Sequence, residues 1–287
     1  MKLVRYGSKQ GPQLGAVKGD GIVDLGELKS SLPTMLSVIA GGTAALDRVN
    51  DVLARATPRI ALAGAPLLAP VERPGKYLAI GMNYRKHAEE AAKLGIAIPT
   101  QQLWFNKQTS CIAGPFDPIE PGVTDKLDYE VELAYVIGKP ARYAAEADAS
   151  QHVFGYVVAN DVSARDWQMH SPTFTLGKSF DTHGPIGPCL VTADEIPDPH
   201  TLGVRCFVNG EKRQDSNTSD LIYNIWQQIA YLSTALTLET GDLFATGTPS
   251  GVGIALTPPQ FLNEGDVVRC EVDGIGAIEN RVGAKRR

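Results

Sequence analysis

The sequence predicts an α+β chain dominated by β-structure, of mainly antiparallel, roll-like type. Three observations predict it. Apolar or alternating runs of strand length recur at 103–106, 127–137, 153–159, 188–192, 203–208, 242–246 and 266–272. Gly-, Pro- and Asp-rich turns separate them. Few segments carry a helical period, and nothing alternates strand with helix as a doubly wound sheet requires.

Taken in order, residues 1–70 read as a small N-terminal α/β unit and 71–287 as the main domain. Leu3–Tyr6, Leu14–Lys18 and Gly21–Leu25 are short strands broken by Gly and Asp. The Ala- and Leu-rich stretch from Leu32 to Ala56 holds one or two helices interrupted at Gly41-Gly42. Pro66, Pro70 and Pro74 then mark an extended connector. Lys76–Ile80 reads as a strand, and Tyr84–Leu94 as a short helix stopped by Gly95. Farther on, Ile222, Ile225, Trp226, Ile229, Leu232 and Leu236 recur at helical spacing, with Ser219 as the expected cap.

Composition narrows the function. Of the 287 residues, 43% are hydrophobic and 21% charged, as in an ordinary soluble globular protein. A net charge of −5 counts against nucleic-acid binding, and the basic tail Lys285-Arg286-Arg287 reads as solvated. No segment is long and apolar enough to span a bilayer, and Met1–Tyr6 lacks a signal-peptide core, so a cytoplasmic location without membrane contact is expected. Cys111, Cys189, Cys206 and Cys270 lie far apart with no CxxC pair, which suggests reduced packing residues. The absence of a GxSxG elbow leaves a serine hydrolase without support.

The segment Leu127-Asp128-Tyr129-Glu130-Val131-Glu132-Leu133-Ala134-Tyr135 places apolar residues at every odd position. On one strand, Asp128, Glu130 and Glu132 share a face about 6.5–7 Å apart from one to the next. Crowded carboxylates repel or take up a proton, and a divalent cation relieves both. An oxygen-only set suits Mg²⁺, Mn²⁺ or Ca²⁺; a solvated strand face opposite Lys or Arg is the competing reading. The apolar run 153–159 ends in Asn160-Asp161, which brings another acid to a strand edge. Arg165 and Gln168 share a face of a helical turn and suit a carboxylate or oxyanion, or else Arg165 pairs with Asp166 at the surface. His87 and Glu90, three apart, form either a base with its orienting acid or part of a solvated helix with Lys86–Glu90 and Glu89–Lys93 pairs. The Gly-rich run 246–253 lacks a GxxxxGK pattern but can hold a carboxylate through amides and hydroxyls.

These segments together resemble the fumarylacetoacetate hydrolase family. The resemblance runs over residues 75–280 and rests on G-x-N-Y-x-x-H (81–87), D-Y-E-x-E-L (128–133), N-D-x-S-A-R-D-x-Q (160–168), G-K-S-F-D-T-x-x-P-x-G-P (177–188) and T-G-T-P-x-G-V-G (246–253), in that order. It implies a mixed β-sandwich roll, a homodimer, and one Mg²⁺ or Mn²⁺ held by Glu130, Glu132 and Asp161. Asp128 then stands behind the ligands. The resemblance further implies His87 and Glu90 as a water-activating dyad on a lid. It places Arg165, Gln168 and Lys178 on substrate oxygens, with Lys178 or Arg165 at the oxyanion, and Thr248 on the substrate carboxylate. Lys107 sits where relatives have Lys-Pro, but Gln108 departs from that pattern. The activity implied is hydrolysis of a C–C bond in a 2,4-dioxo acid, of acylpyruvate or diketo-deoxy sugar acid type, giving pyruvate and a carboxylic acid. Decarboxylation of an oxaloacetate-like acid and isomerisation of a 2-hydroxy-dienedioate use the same site. An idle cation-binding dimer and a two-metal nuclease are readings of other classes; His87, Lys178 and Thr248 count against the first and the net charge against the second.

Overall fold

A computed structural model describes residues 1–93, 95 and 97–285. The strands needed here are β1 (Lys2–Ser8), β2 (Gly11–Lys18), β3 (Gly21–Asp24), β4 (Tyr77–Gly81), β5 (Leu103–Lys107), β6 (Leu127–Asp128), β7 (Val131–Ile137), β8 (Val153–Asn160), β9 (Ser163–Ala164), β10 (Gly184–Thr192), β11 (Gly203–Val208), β12 (Glu211–Asn217), β13 (Leu243–Ala245), β14 (Val267–Val272) and β15 (Gly276–Arg281). The helices are α1 (Met35–Arg55), α2 (Arg85–Lys93), α3 (Arg165–Gln168) and α4 (Ile225–Ala235).

The large sheet runs β3-β2-β1-β10-β8-β7-β13-β4-β5, extended at the β3 edge by Ile60–Ala61. Its neighbours are antiparallel except β13 and β4, which run parallel. A second sheet, ordered β12-β11-β14-β15, packs against one face, and β6 pairs separately with β9. β1 pairs with β10, so one sheet continues across residue 70.

Both faces of the large sheet are covered. Leu133 and Tyr135 of β7 join a core with Cys206, Cys270 and Ile229 from the second sheet and α4. Ala134 and Val136, on the opposite face, pack in a core with Met35, Ile39 and Val52 of α1. Alternation over 127–135 suggested a strand with a single buried face; β7 is instead buried at all seven residues, because α1 covers the second face. α1 is kinked at Gly42, whose φ of 52° is non-helical, where the Gly pair was expected to interrupt it.

Other boundaries moved. The expected strand 127–137 breaks at Tyr129–Glu130, where pairing passes from β9 to β8. Ser219 lies in a short 3₁₀ turn and does not cap α4. Asn224 does, accepting from Gln227 N–H while its own N–H donates to the Gln227 side chain. The strands β12 and β15 were not foreseen; Glu-Lys-Arg-Gln-Asp-Ser-Asn in β12 shows no apolar period. Leu94, the expected end of α2, and Arg286 and Arg287 of the basic tail lie outside the described residues.

Candidate active site

The acidic floor forms where two neighbouring strands leave the large sheet together. Val131, first in β7, pairs with Asn160, last in β8. Glu130 and Asp161 therefore sit side by side just outside the ladder. Asp161 N–H donates to Glu130 O at 2.8 Å, and Glu130 N–H donates to Asn160 Oδ1 at 3.0 Å. Carboxylate oxygens of Glu130, Glu132 and Asp161 all lie within 4.8 Å of one another, and all three residues are buried. Asp128 is not among them. On β6 it accepts instead from Gly253 N–H (2.8 Å), Ile254 N–H (3.0 Å) and Arg165 Nε (2.9 Å). The break in the strand turns it out of the shared face.

Three cations enclose this floor. Lys178 Nζ donates to Glu130 Oε2 and Asp161 Oδ2, each at 2.8 Å. Arg165 Nη2 lies 2.7 Å from Glu130 Oε1 but out of hydrogen-bond alignment. Lys107, fully buried, donates to Asp161 Oδ1 and to the Lys178 and His183 carbonyls. The acids respond differently. Burial pushes Glu130 up, but Lys178 and Arg165 outweigh it and hold the carboxyl down at about 2. Glu132 is pushed well above the usual carboxylate range by burial and by the neighbouring Asp161 and Glu130, with Gly247 N–H at 2.7 Å as a partial counterweight. A buried oxygen-only triad, with one member driven towards protonation by the charge of the others, fits a divalent cation such as Mg²⁺ or Mn²⁺, whose charge displaces that proton.

Two glycines permit this packing. Gly247, at φ +99°, approaches Asn83 so closely that a Cβ would stand 2.8 Å from Asn83 Cβ. Gly177 lies against α3, where a Cβ would meet Gln168 N at 2.3 Å, and its carbonyl accepts from Ala164 N–H at 2.7 Å. Lys178 is thereby delivered to the floor directly beside Arg165 and Gln168.

Opposite the floor, His87 and Glu90 meet on one face of α2. His87 Nδ1 lies 3.0 Å from Glu90 Oε2, and Glu90 Oε1 accepts from Gly251 N–H at 3.1 Å. Among the described ion pairs, Glu90 meets His87 and not Lys86, which favours the dyad over the solvated-helix pairing. Asn83 anchors the start of the helix. Its amide donates to Tyr223 O (3.0 Å) and Thr246 O (2.8 Å), and its oxygen accepts from Tyr223 N–H (2.9 Å).

Floor and helix enclose a cavity of about 310 Å³. Glu130, Arg165, Gln168, Lys178, Thr248, His87 and Glu90 supply its polar wall. Gln168 Oε1 accepts from Arg165 Nη1 at 3.0 Å, which leaves its amide N–H groups as ligand donors. Two expected positions differ in detail. Lys107 is not on the cavity wall; it stands behind Asp161 with its donors engaged, as support for a floor acid and not for a substrate. Thr248 lines the cavity, but its hydroxyl donates to Val131 O and accepts from Gln214 Nε2, both at 2.9 Å, so it has no proton for a carboxylate. Gln214 was not foreseen, because one buried amide inside polar β12 carries no signal of its burial. Asn83 was legible only as a motif letter.

The profile of the fumarylacetoacetate (FAA) hydrolase C-terminal family matches residues 76–283. A Xenopus laevis protein named oxaloacetate tautomerase fahd2, mitochondrial, is 45% identical over 98% of this chain and 90% of its own length. Its name places it in a compartment other than the cytoplasmic one expected here; among the described residues no helix is long and apolar enough to cross a membrane. The crystal structure of maleylpyruvate hydrolase from Sphingobium, in complex with manganese(II) and pyruvate, is 32% identical with a TM-score of 0.84, all of each chain being covered. A 5-carboxymethyl-2-hydroxymuconate delta-isomerase from Mycobacterium smegmatis, also 32% identical and fully covered, has a TM-score of 0.77. Solved proteins named as a hydrolase and as an isomerase thus share this fold. With the family profile spanning the acidic floor, the Arg165–Gln168 turn, Lys178 and the Gly-rich loop, the chain belongs to the fumarylacetoacetate hydrolase family.

Proposed function

We propose that this chain is an enzyme of 2-oxo acid enolisation, and that it interconverts the keto and enol forms of oxaloacetate. The carrying observation is the His87–Glu90 dyad placed in one cavity with Glu130, Arg165 and Lys178 of the buried floor. The identity with the Xenopus tautomerase supports the choice of substrate. Tautomerisation was not among the reactions that the motifs suggested; it needs the same enolate as the hydrolysis, decarboxylation and isomerisation that were.

The chemistry follows from the residues. Nδ1 of His87 is engaged by Glu90, so Nε2 is the nitrogen that exchanges a proton with C3. As the C3–H bond breaks, its electron pair forms C2=C3 and the carbonyl π pair moves to O2, which then takes up a proton. Arg165, Lys178 and the Gln168 amide sit where they orient the carboxylate and the developing oxyanion. Glu130, Glu132 and Asp161 would hold a divalent cation, which would supply Lewis-acid stabilisation of the enolate. Gly251 N–H fixes the second oxygen of Glu90, so that the dyad keeps its direction.

Hydrolysis of a 2,4-dioxo acid is the second reading. The same dyad geometry suits proton removal from water, and the maleylpyruvate hydrolase likeness supports it. A homodimer belongs to either reading and is tested by sedimentation. The deciding experiment follows enol absorbance of oxaloacetate, and pyruvate release from acetylpyruvate and fumarylpyruvate, with Mg²⁺ or Mn²⁺ and with EDTA. Metal-dependent loss of the enol without pyruvate supports the tautomerase. Pyruvate from a dioxo acid, with oxaloacetate no faster than in buffer, replaces it by the hydrolase, and pyruvate from oxaloacetate alone replaces it by the decarboxylase.

A further inference from the structure

The cavity has two unlike halves. Among the described residues, the cations on its wall are Arg165, Lys178 and, when protonated, His87. The first two are bound to Glu130, and His87 is close enough to act on the same carboxylate. The charge is therefore gathered at the floor. From Lys178 the wall passes to Phe105, whose ring centre lies 5.1 Å from Nζ, and on to Phe174 in an edge contact at 6.0 Å. Leu103, Met169, Val252 and Ile254 complete an apolar wall. Two aromatic rings and a thioether form a surface for a flat apolar group.

The volume suggests the same. A cavity of about 310 Å³ is at the scale of sites that enclose drug-sized ligands. A four-carbon dicarboxylate leaves much of it empty, and its far carboxylate finds donors only by folding back to Arg165 and Gln168. No described cation waits at the apolar end. Leaving that end unfilled, or burying a carboxylate there, both cost binding energy.

We propose that the site also takes pyruvates carrying an aryl or branched alkyl group on C3, and interconverts their keto and enol forms. This rests on the enolisation reading above. The 1-carboxylate and 2-oxo group lie at the floor, C3 faces His87, and the C3 substituent lies between Phe105, Phe174, Leu103 and Met169. The step balances with water alone: the proton lost from C3 goes to His87, the C–H pair forms C2=C3, the carbonyl π pair moves to O2, and O2 takes a proton from water while His87 returns its own to water. The reverse restores the ketone.

The test measures enol-to-keto conversion of phenylpyruvate and of oxaloacetate by the full chain with Mn²⁺, each against protein-free buffer containing the same Mn²⁺. Two variants accompany it, Phe174→Arg in the apolar wall and Met169→Arg at its rim. Met169 is 73% exposed, so that change leaves folding intact even where the first does not. The expected result is acceleration of phenylpyruvate, with each folded arginine variant shifting the ratio of kcat/KM for phenylpyruvate over oxaloacetate at least tenfold towards the dicarboxylate. Acceleration of oxaloacetate alone overturns this inference and leaves the tautomerase reading standing. Equal acceleration of both substrates with an unmoved ratio in Met169→Arg overturns the assignment of the apolar wall. Acceleration of neither substrate overturns the enolisation reading and this inference with it.

Discussion

Glu130, Glu132 and Asp161 stand at the ends of core strands, whereas His87 and Glu90 stand on a nine-residue helix at the surface of the same cavity. The floor is tied from every side: by the β7–β8 ladder, by Gly247 N–H, and by Lys107, Lys178 and Arg165. The helix is held by neutral hydrogen bonds at Asn83, by exposed Arg85 against Ser219 O and Asp220, and by Glu90 to Gly251. The floor must be rigid because it brings together charges that repel, and only a fixed set of counter-charges keeps them buried. The helix must only hold a base at the right distance. Every reaction considered for this site uses the same floor, so the choice among them lies with what the helix and the apolar wall deliver.

The strongest way to break this contrast is at the floor. Glu132→Gln is expected to remove metal-stimulated activity altogether while leaving the fold intact by circular dichroism, since Glu132 meets a backbone N–H that an amide oxygen still accepts. Mn²⁺ titration followed by electron paramagnetic resonance checks it directly; wild-type affinity in the variant removes Glu132 from the ligand set. The helix predicts a different signature. His87→Ala keeps Mn²⁺ affinity but loses about 100-fold in turnover, the usual size of a general-base contribution. An unaltered rate returns α2 to a solvated helix with no chemical role.

Lys107 probes the support behind the floor. Lys107→Met leaves Asp161 facing a buried, unpaired side, and is expected to cost about 3–5 kcal/mol of stability and about 10- to 100-fold in Mn²⁺ affinity. Urea unfolding with and without Mn²⁺ measures both. An unchanged midpoint shows that the pair contributes nothing net.

The smallest effect expected is one of pH. Burial, and then the charge of Lys107, lower His183 to about 3 from an ordinary 6.5. The unfolded chain thus binds a proton that the folded chain refuses. This contribution to stability is fully present above pH 6.5 and is lost as pH falls from there towards 3, at about 1.4 kcal/mol per pH unit once well below 6.5. Comparing unfolding free energies at pH 7, 6 and 5 for wild type and His183→Gln isolates it. Equal slopes for the two proteins refute the assignment.

Much of the floor was legible from local pattern. Glu130 and Glu132 announce themselves by alternation within an apolar strand, and Asp161 by ending the next one; neighbouring strands then bring them together. Three-residue spacing put Arg165 with Gln168 and His87 with Glu90 on shared faces but left each with a surface reading, and only the motif resemblance pointed them to a site. The capping of α4 was misplaced because Ser219 and Asn224 are both good caps, and packing of Ile225 and Ile229 decides which is used.

The sequence by itself determined most of the core strands, α1 and the pair on α2, since these depend on periods of two and 3.6 residues that a chain carries locally. Only the tertiary structure decided which groups hold Asp128 behind the triad, that Lys107 stands behind Asp161, that Thr248 spends its proton on Val131, and that the cavity is apolar beyond Lys178. Each depends on contacts between residues far apart in the chain, such as Asp128 with Gly253 and Lys107 with Asp161. Such contacts exist only once two sheets have closed over a common core, and no local spacing encodes them.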